Sequence, residues 1–250
     1  MNDNTPLVSI ITPSYNASSY IVETIESVLS QTYENWEMIV VDDCSSDETL
    51  NILNKYLEKD KRIKLISNKM NMGAAQSRNR AIEISEGKYI AFLDSDDLWL
   101  GKKLEKQIAL MEAENLMLSY TSYYTINEDS ETLSTFYAQD KVNYFDMLKT
   151  SSIGTLTTIY NVEKLGKFYF DDIGHEDYVM KLQILKQIPY AKGLNEPLAK
   201  YRIHTQGLSS NKLKTALWQW HIYRKVEKLS FIKSMYYFMH YTYNGIFKYK

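Results

Sequence analysis

Three carboxylates in four residues, Asp94-Ser95-Asp96-Asp97, follow directly on the apolar run Tyr89 to Leu93. The run has the length and composition of a strand buried on both faces. Like charges at its end repel one another, and burying them unpaired is costly. A divalent cation resolves the conflict, because Mg²⁺ and Mn²⁺ take hard oxygen ligands and share their shell with substrate phosphates. Asp94 and Asp96 stand two apart, so in extended chain they point the same way. Taken alone, the stretch serves equally well as a cap, with Asp96 or Asp97 preceding a helix from about Leu98 to Glu114. What else the chain brings to the same place decides between them.

The preceding residues supply a frame. Leu7 to Thr12 reads as a buried strand stopped by Pro13. Ile21, Ile25, Val28 and Leu29 recur at helical spacing, which predicts a helix over roughly Ser19 to Ser30. Trp36 to Val41 is a second strand, ending in Asp42 and Asp43. A helix with Leu50, Leu53 and Leu57 follows, its N-cap Ser46 or Asp47. Ile63 to Ile66 is a third strand, Asn68 to Gly73 a turn, and Ala74 to Ser85 a helix that Gly87 ends. Four strands thus alternate with three helices before the Asp94 cluster, the signature of a parallel α/β sheet. Ligands of such sheets bind at the carboxyl ends of the strands. Tyr15 and Asn16, Asp42 and Asp43, Asn68 and Asn71, and Asp94 and Asp96 all fall there. That convergence indicates a nucleotide site. No Gly-x-Gly-x-x-Gly or Walker loop is present, which counts against dinucleotides and P-loop chemistry.

The second half is less regular. Leu118 to Ile126 and Ile153 to Tyr160 read as Tyr- and Thr-rich strands, and Asn127 to Asp140 as a loop. Gly174-His-Glu-Asp177 leads into a helix with Tyr178, Leu182 and Leu185 on one face. Leu198 to Ile203 reads as a last strand running into His204. The 250 residues include one cysteine, Cys44, so an internal disulfide and a cysteine-rich zinc site are excluded. The polar start gives no secretory signal, and no stretch has the length of a membrane span. The net charge of −2 hides an asymmetry. From Lys212 onward eight Lys or Arg face one acid, Glu227, and Trp218, Trp220, Tyr223, Phe231, Tyr236, Tyr237, Phe238, Tyr241 and Phe247 lie among them. Such a tail reads either as an interfacial amphipathic helix pair or as helices packed on the body or a second subunit.

Five segments in order, Val8-Ser-Ile-Ile-Thr-Pro-Ser-Tyr-Asn16, Ser27 to Tyr33, Val41-Asp-Asp-Cys-Ser-Ser-Asp47, Asn71-Met-Gly to Ser77-Arg-Asn79 and Asp94 to Asp97, resemble the family 2 glycosyltransferases of GT-A fold. His175-Glu-Asp177 and Arg202-Ile-His204 carry the resemblance into the second half. It implies an α/β fold whose Rossmann-like nucleotide-binding part is 1–100 and whose acceptor part is 101–210, followed by a helical tail at 211–250. It also implies inverting transfer of a hexose or N-acetylhexosamine from a UDP-sugar, assisted by Mn²⁺ or Mg²⁺.

The roles it implies are specific. Pro13 and Tyr15 line the nucleoside pocket, and Asp43 rather than Asp42 accepts from uracil N3–H. Asn71, Arg78, Asp94, Ser95 and Arg202 bind the nucleotide-sugar, with Arg78 neutralising diphosphate, and Glu176 binds substrate at the acceptor side. Asp96 and His204 hold the metal, His204 alternatively joining Arg202 on the diphosphate, and Asp177 takes the acceptor's proton. Cys44 stands where Gly is usual. The acceptor implied is a saccharide, in many relatives linked to a polyprenyl diphosphate, which would place the enzyme in the bacterial cytoplasm or on the inner face of its membrane, making O-antigen or capsule. No nucleic-acid partner is implied, and an oligomer is compatible. Two other readings are an inactive relative that scaffolds a polysaccharide assembly complex and a sugar-phosphate nucleotidyltransferase. The latter needs a glycine-rich loop where Thr12-Pro-Ser-Tyr15 stands.

Overall fold

The computed structural model describes residues 5–204 and 212–247. Its first hundred residues run β1 (Val8–Ser14), α1 (Ile21–Leu29), β2 (Trp36–Asp42), α2 (Thr49–Lys59), β3 (Ile63–Ser67), α3 (Ala74–Ile84) and β4 (Tyr89–Phe92). Every residue of β1, β2 and β4 is buried, so apolar side chains stand on both faces of these strands. β1 pairs with β2 and β4, and β2 with β3, all parallel, as strands joined through helices require. Alternate residues feed two cores. Ile11, Ile39, Val41 and Phe92 pack with Ala81 and Ile82 of α3. Val8, Ile10, Met38 and Val40 pack with Ile21, Ile25 and Val28 of α1. The register pairs Ser14 with Asp42 and Asp42 with Ser67, so the carboxyl ends of three strands lie level.

The remainder comprises β5 (Leu98–Trp99), α4 (Lys103–Ala113), β6 (Leu118–Ile126), β7 (Thr132–Phe136), β8 (Lys141–Val142), α5 (Tyr144–Lys149), β9 (Ile159–Asn161), α6 (Val162–Leu165), α7 (Glu176–Leu185), β10 (Ala191–Arg202), α8 (Lys212–His221) and α9 (Phe231–Phe247). One sheet takes in all ten strands, in the order β3-β2-β1-β4-β9-β6-β10-β5, with β7 on β6 and β8 on β10. β9 is antiparallel to both β4 and β6, and so joins the parallel half of the sheet to the second half.

Several elements depart from the sequence reading. Pro13 does not stop β1, which continues to Ser14. The β1–β4 ladder ends at Ile11 and Phe92, with Leu93 N–H donating to the Ile11 carbonyl, so on that side no donor is needed at Pro13. Leu98 begins a two-residue strand, not a helix, because Trp99 and Leu98 pair with Ala199 and Lys200; the helix waits until Lys103. The loop expected over Asn127 to Asp140 contains β7, and of Ile153 to Tyr160 only Ile159 and Tyr160 are strand, in β9, after a 3₁₀ turn at Thr155–Thr157. The last strand starts at Ala191 rather than Leu198. The N-cap of α2 is Glu48, without a side-chain cap bond; Asp47 instead accepts from Thr49 N–H at 3.0 Å and Ser18 N–H at 3.1 Å.

The break expected at Ser209 to Asn211 lies outside the described residues. Beyond it, the π-helical turn Ile222–Val226 buries Ile222 and Tyr223 completely. Both belong to the core cluster of Tyr178 and Val179.

Candidate active site

The loop after β4 is braced from below. Asp97 N–H donates to the Asp94 carbonyl at 3.2 Å. Thr24 of α1, fully buried, gives its hydroxyl to the carbonyls of Ser95 and Asp97, both at 3.0 Å. Arg202 closes β10 against the same loop. Its backbone N–H donates to Asp97 Oδ1 at 2.9 Å and its Nε to the Asp96 carbonyl at 2.8 Å. The rest of the guanidinium holds the Asn127 and Glu128 carbonyls, Ser130 Oγ and Glu23, over the Tyr20 ring. Arg202 is 1% exposed. It is therefore occupied as a clamp on the acidic loop, away from the diphosphate role expected of it. Asp97, also buried, has its carboxyl pushed well above the usual range by burial and by the charges of Asp96 and Asp94.

So braced, the loop sends its other acids in different directions. Asp96 Oδ2 lies 2.8 Å from His204 Nε2. Burial, and then the charge of Asp94, raise the Asp96 carboxyl above its ordinary pKa despite the imidazole. Asp94 Oδ1 takes Arg78 Nη2 at 2.6 Å, and Arg78 Nη1 reaches Glu176 Oε1 at 3.2 Å. Arg78, presented by α3 and 7% exposed, is thus shared between the two halves of the chain. Burial alone would lower its pKa, but Asp94, then Glu176 and Asp177, outweigh it and keep the guanidinium charged.

Asp177 stands next to Glu176 at the start of α7. Its Oδ2 accepts from Lys181 Nζ at 2.8 Å and from Thr155 Oγ1 at 2.6 Å. Lys181 is 1% exposed and also donates to the Ile153 carbonyl at 2.8 Å. Burial would raise the Asp177 pKa, but the Lys181 ammonium, with Thr155 and Arg78, holds it far below the carboxylate range. Lys181 and Thr155 were missed in the sequence. The signal for Lys181 was available, since Asp and Lys four apart on a helix face one another.

At the ends of β1 and β2 the two neighbouring aspartates divide. Asp43 is saturated: it takes Asn68 Nδ2 at 2.5 Å, Met72 N–H at 2.8 Å and Gly73 N–H at 2.7 Å. It fixes the turn that begins α3. Asp42 accepts from Ser45 N–H at 3.2 Å through Oδ2. Its Oδ1, and the hydroxyl of Ser14 paired with it in register, are buried without a hydrogen-bond partner among the described residues. The unsatisfied acceptor is on Asp42, not on Asp43 as expected. Tyr15 is 52% exposed at this edge, Pro13 is buried beside it and Asn71 is exposed. Cys44 lies at φ 63°, the left-handed region that favours Gly.

Asp96 and His204 offer one carboxylate oxygen and one imidazole nitrogen close enough to share an ion. Among the described residues no group of three or more His, Cys, Asp or Glu is so placed. The pair fits a cation that takes its other ligands from phosphate and water, the usual habit of Mg²⁺.

The family model described as glycosyl transferase family 2 matches residues 9–165. The putative teichuronic acid biosynthesis glycosyltransferase TuaG of Bacillus subtilis (strain 168) is 43% identical over 245 residues, covering 97% of each chain. The UDP-Glc:alpha-D-GlcNAc-diphosphoundecaprenol beta-1,3-glucosyltransferase WfgD of Escherichia coli is 44% identical over 218 residues, 86% of this chain and 85% of that one. Among solved structures, S. aureus TarS 1-349 in complex with UDP-GlcNAc matches at a TM-score of 0.70, with 23% identity over 83% of this chain and 61% of its own. A mannosyltransferase from Pyrobaculum calidifontis in complex with GDP-Man and Mn²⁺ matches at 0.66, with 18% identity over 91% of this chain and 66% of its own. Both likenesses concern the fold.

Proposed function

This chain belongs to glycosyl transferase family 2, with the GT-A fold, and on that premise we propose that it transfers a hexose or N-acetylhexosamine, with inversion, from a UDP-sugar to a lipid-linked saccharide. The observation that carries the reading is Arg78, which joins Asp94 of the nucleotide half to Glu176 of the second half. Donor-side and acceptor-side acids therefore meet around one cation, where a diphosphate would leave.

Each residue then has a task. Asp42 Oδ1 and Ser14 Oγ, buried and unsatisfied, suit the polar edge of uracil, with Tyr15 beside the base. Asp43 holds the Asn71–Gly73 turn in place. Arg78 takes up charge on the departing diphosphate. A divalent cation held by Asp96 and His204 would offset the same charge.

The acceptor hydroxyl attacks the anomeric carbon, the bond from that carbon to the diphosphate oxygen breaks, and the hydroxyl proton passes to Asp177. Lys181 keeps Asp177 ionised and weakly basic. Weak basicity suffices if the proton moves late, because the attacking oxygen becomes strongly acidic as its new bond forms. The anionic form is what the task demands, and Lys181 guarantees it.

The lipid-linked acceptor draws on the printed activity of WfgD and on α9. Ile232, Tyr236, Met239 and Tyr243, at helical spacing, are 81%, 46%, 57% and 63% exposed. Lys225, Lys228 and Lys233 are exposed around them. No helix among the described residues is long and apolar enough to cross a membrane. An apolar face with basic flanks suits the surface of an anionic bilayer.

The test is release of UDP from a panel of nucleotide sugars with a saccharide acceptor and Mn²⁺ or Mg²⁺. Turnover confined to UDP-sugars, and abolished by chelator, is expected. Preference for GDP- or ADP-sugars refutes the donor pocket, and full activity in chelator refutes the cation.

A further inference from the structure

Helix α7, which carries Glu176 and Asp177, begins in an unusual way. Its N-cap, His175, lies at φ 62° and ψ 41°, and no side chain caps the helix. A non-glycine residue keeps a left-handed backbone only where its surroundings impose it. Here the surroundings are the C-terminal helix α8. The indole of Trp218 lies directly on Gly174: a Cβ added to that glycine would stand 2.2–2.4 Å from indole Cδ2, Cε2 and Cγ. The same ring meets His175 edge to face, at 5.4 Å between centroids and 85° between planes. Gly174 is thus a glycine because an aromatic ring occupies the space a side chain would need.

The segment that follows Trp218 is tied to the body of the protein. Tyr223, fully buried, gives its hydroxyl to the Leu148 carbonyl at 2.5 Å. Glu227 pairs with Lys186 at 2.7 Å and accepts the Tyr144 hydroxyl. Gln219 is 1% exposed. The π-helical turn Ile222–Val226 puts Ile222 and Tyr223, neighbours in sequence, both into the core; such turns are frequent at functional sites.

We propose that Trp218 is a positioning residue for the acceptor-side carboxylates: it packs on Gly174, holds His175 in the left-handed start of α7 and so sets where Glu176 and Asp177 face the donor. The proposal rests on the glycosyl-transfer reading above. It makes the C-terminal helices part of the catalytic machinery rather than an appendage to it.

The experiment uses the full chain with its preferred UDP-sugar, measuring transfer kcat and, separately, UDP affinity by calorimetry. Misplacing a catalytic group by about 1 Å costs on the order of a hundredfold. Trp218→Ala is therefore expected to lower transfer kcat at least about tenfold on the same scale while UDP affinity is unchanged. Trp218→Phe, which keeps a ring, falls between. Gly174→Ala is expected to be as damaging as Trp218→Ala, because its methyl collides with the indole. The double variant is expected to be no worse than Trp218→Ala alone, because the collision is gone. The proposal is overturned if Trp218→Ala keeps parental transfer, if UDP affinity falls in step with transfer, or if the two single effects multiply in the double variant. Should Trp218→Ala fail to fold, Gly174→Ala decides with the same pair of readouts: transfer lost with UDP affinity kept supports the proposal, and any other result refutes it. A parent that consumes no UDP-sugar overturns the underlying reading, and the proposal with it.

Discussion

The Glu176–Asp177 pair assigns different work to neighbouring carboxylates. Glu176 pairs with Arg78, whereas Asp177 is held by Lys181 and Thr155. Asp177→Asn keeps an oxygen for Lys181 but removes the proton acceptor. Transfer should fall by about two to four orders of magnitude, the usual contribution of a positioned base, with UDP binding intact. Glu176→Gln should be milder, and the reverse order of severity would move the base to Glu176. Stability should respond as well. The Asp177 pKa is depressed in the folded protein, so its contribution is complete above the ordinary carboxylate range, near pH 4, and fades as pH falls below it. Melting curves between neutral pH and about pH 3 should therefore be flatter for Asp177→Asn than for the parent on this linkage. Lys181→Met should cost less than the roughly 3–5 kcal/mol of breaking a fully buried pair, because a third of the Asp177 side chain is open. The nucleotide-side pair makes a parallel contrast. Asp42→Asn should weaken UDP binding about tenfold by losing one charged hydrogen bond, leaving the melting temperature near parental. Asp43→Asn should lower the melting temperature, since it weakens the anchor of Met72 and Gly73. Isothermal titration and thermal melts of the two variants check this, and the opposite pattern returns the uracil contact to Asp43.

Elements differ in how far sequence reveals them. β1, β2 and β4 are buried on both faces, and α1 turns one stripe inward, so local pattern was enough to find them. β5 exists only because Trp99 meets Ala199, a hundred residues later, and no local pattern announces such a strand. β7 likewise depends on pairing Thr132 to Phe136 with β6. The acids of the site were legible, because their repulsion at a strand end demands an explanation. The division of labour was not, since it turns on which groups are already occupied: the Asp43 carboxylate by its turn, the Arg202 guanidinium by donating to three backbone carbonyls. The tail was the least legible element, and it serves on two sides. Its inner side joins the core through Ile222 and Tyr223, while α9 exposes Ile232 and Met239. Deleting it would therefore expose core, which makes truncation a poor test of membrane contact. Ile232→Asp with Met239→Asp changes the outer face alone. Co-sedimentation with anionic vesicles at low salt should be lost in this variant while transfer to a short soluble acceptor persists. Equal sedimentation of parent and variant would assign the face to another contact.

At the scale of the whole molecule, one sheet underlies both halves of the proposed reaction. The parallel strands deliver Asp42, Arg78 (through α3) and Asp94 to a common edge, and the antiparallel β9 carries the sheet across to β6 and β10, which end near His204. Helix α7 then brings Asp177 in from the other side, on the face that α8 covers. Asp94 and Glu176 take separate nitrogens of Arg78, and Asp177 follows Glu176 at the start of α7; the proposed reaction needs attack from the face away from the diphosphate. Inversion is therefore the outcome most sensitive to the assembled geometry. The decisive measurement is NMR of the product formed from a UDP-α-hexose or UDP-α-N-acetylhexosamine and a polyprenyl-diphosphate-linked saccharide. The expected product carries a new β-linkage, formed only with the cation present and lost in Asp177→Asn. An α-linked product, or a β-linked one made at parental rate by Asp177→Asn, would contradict it.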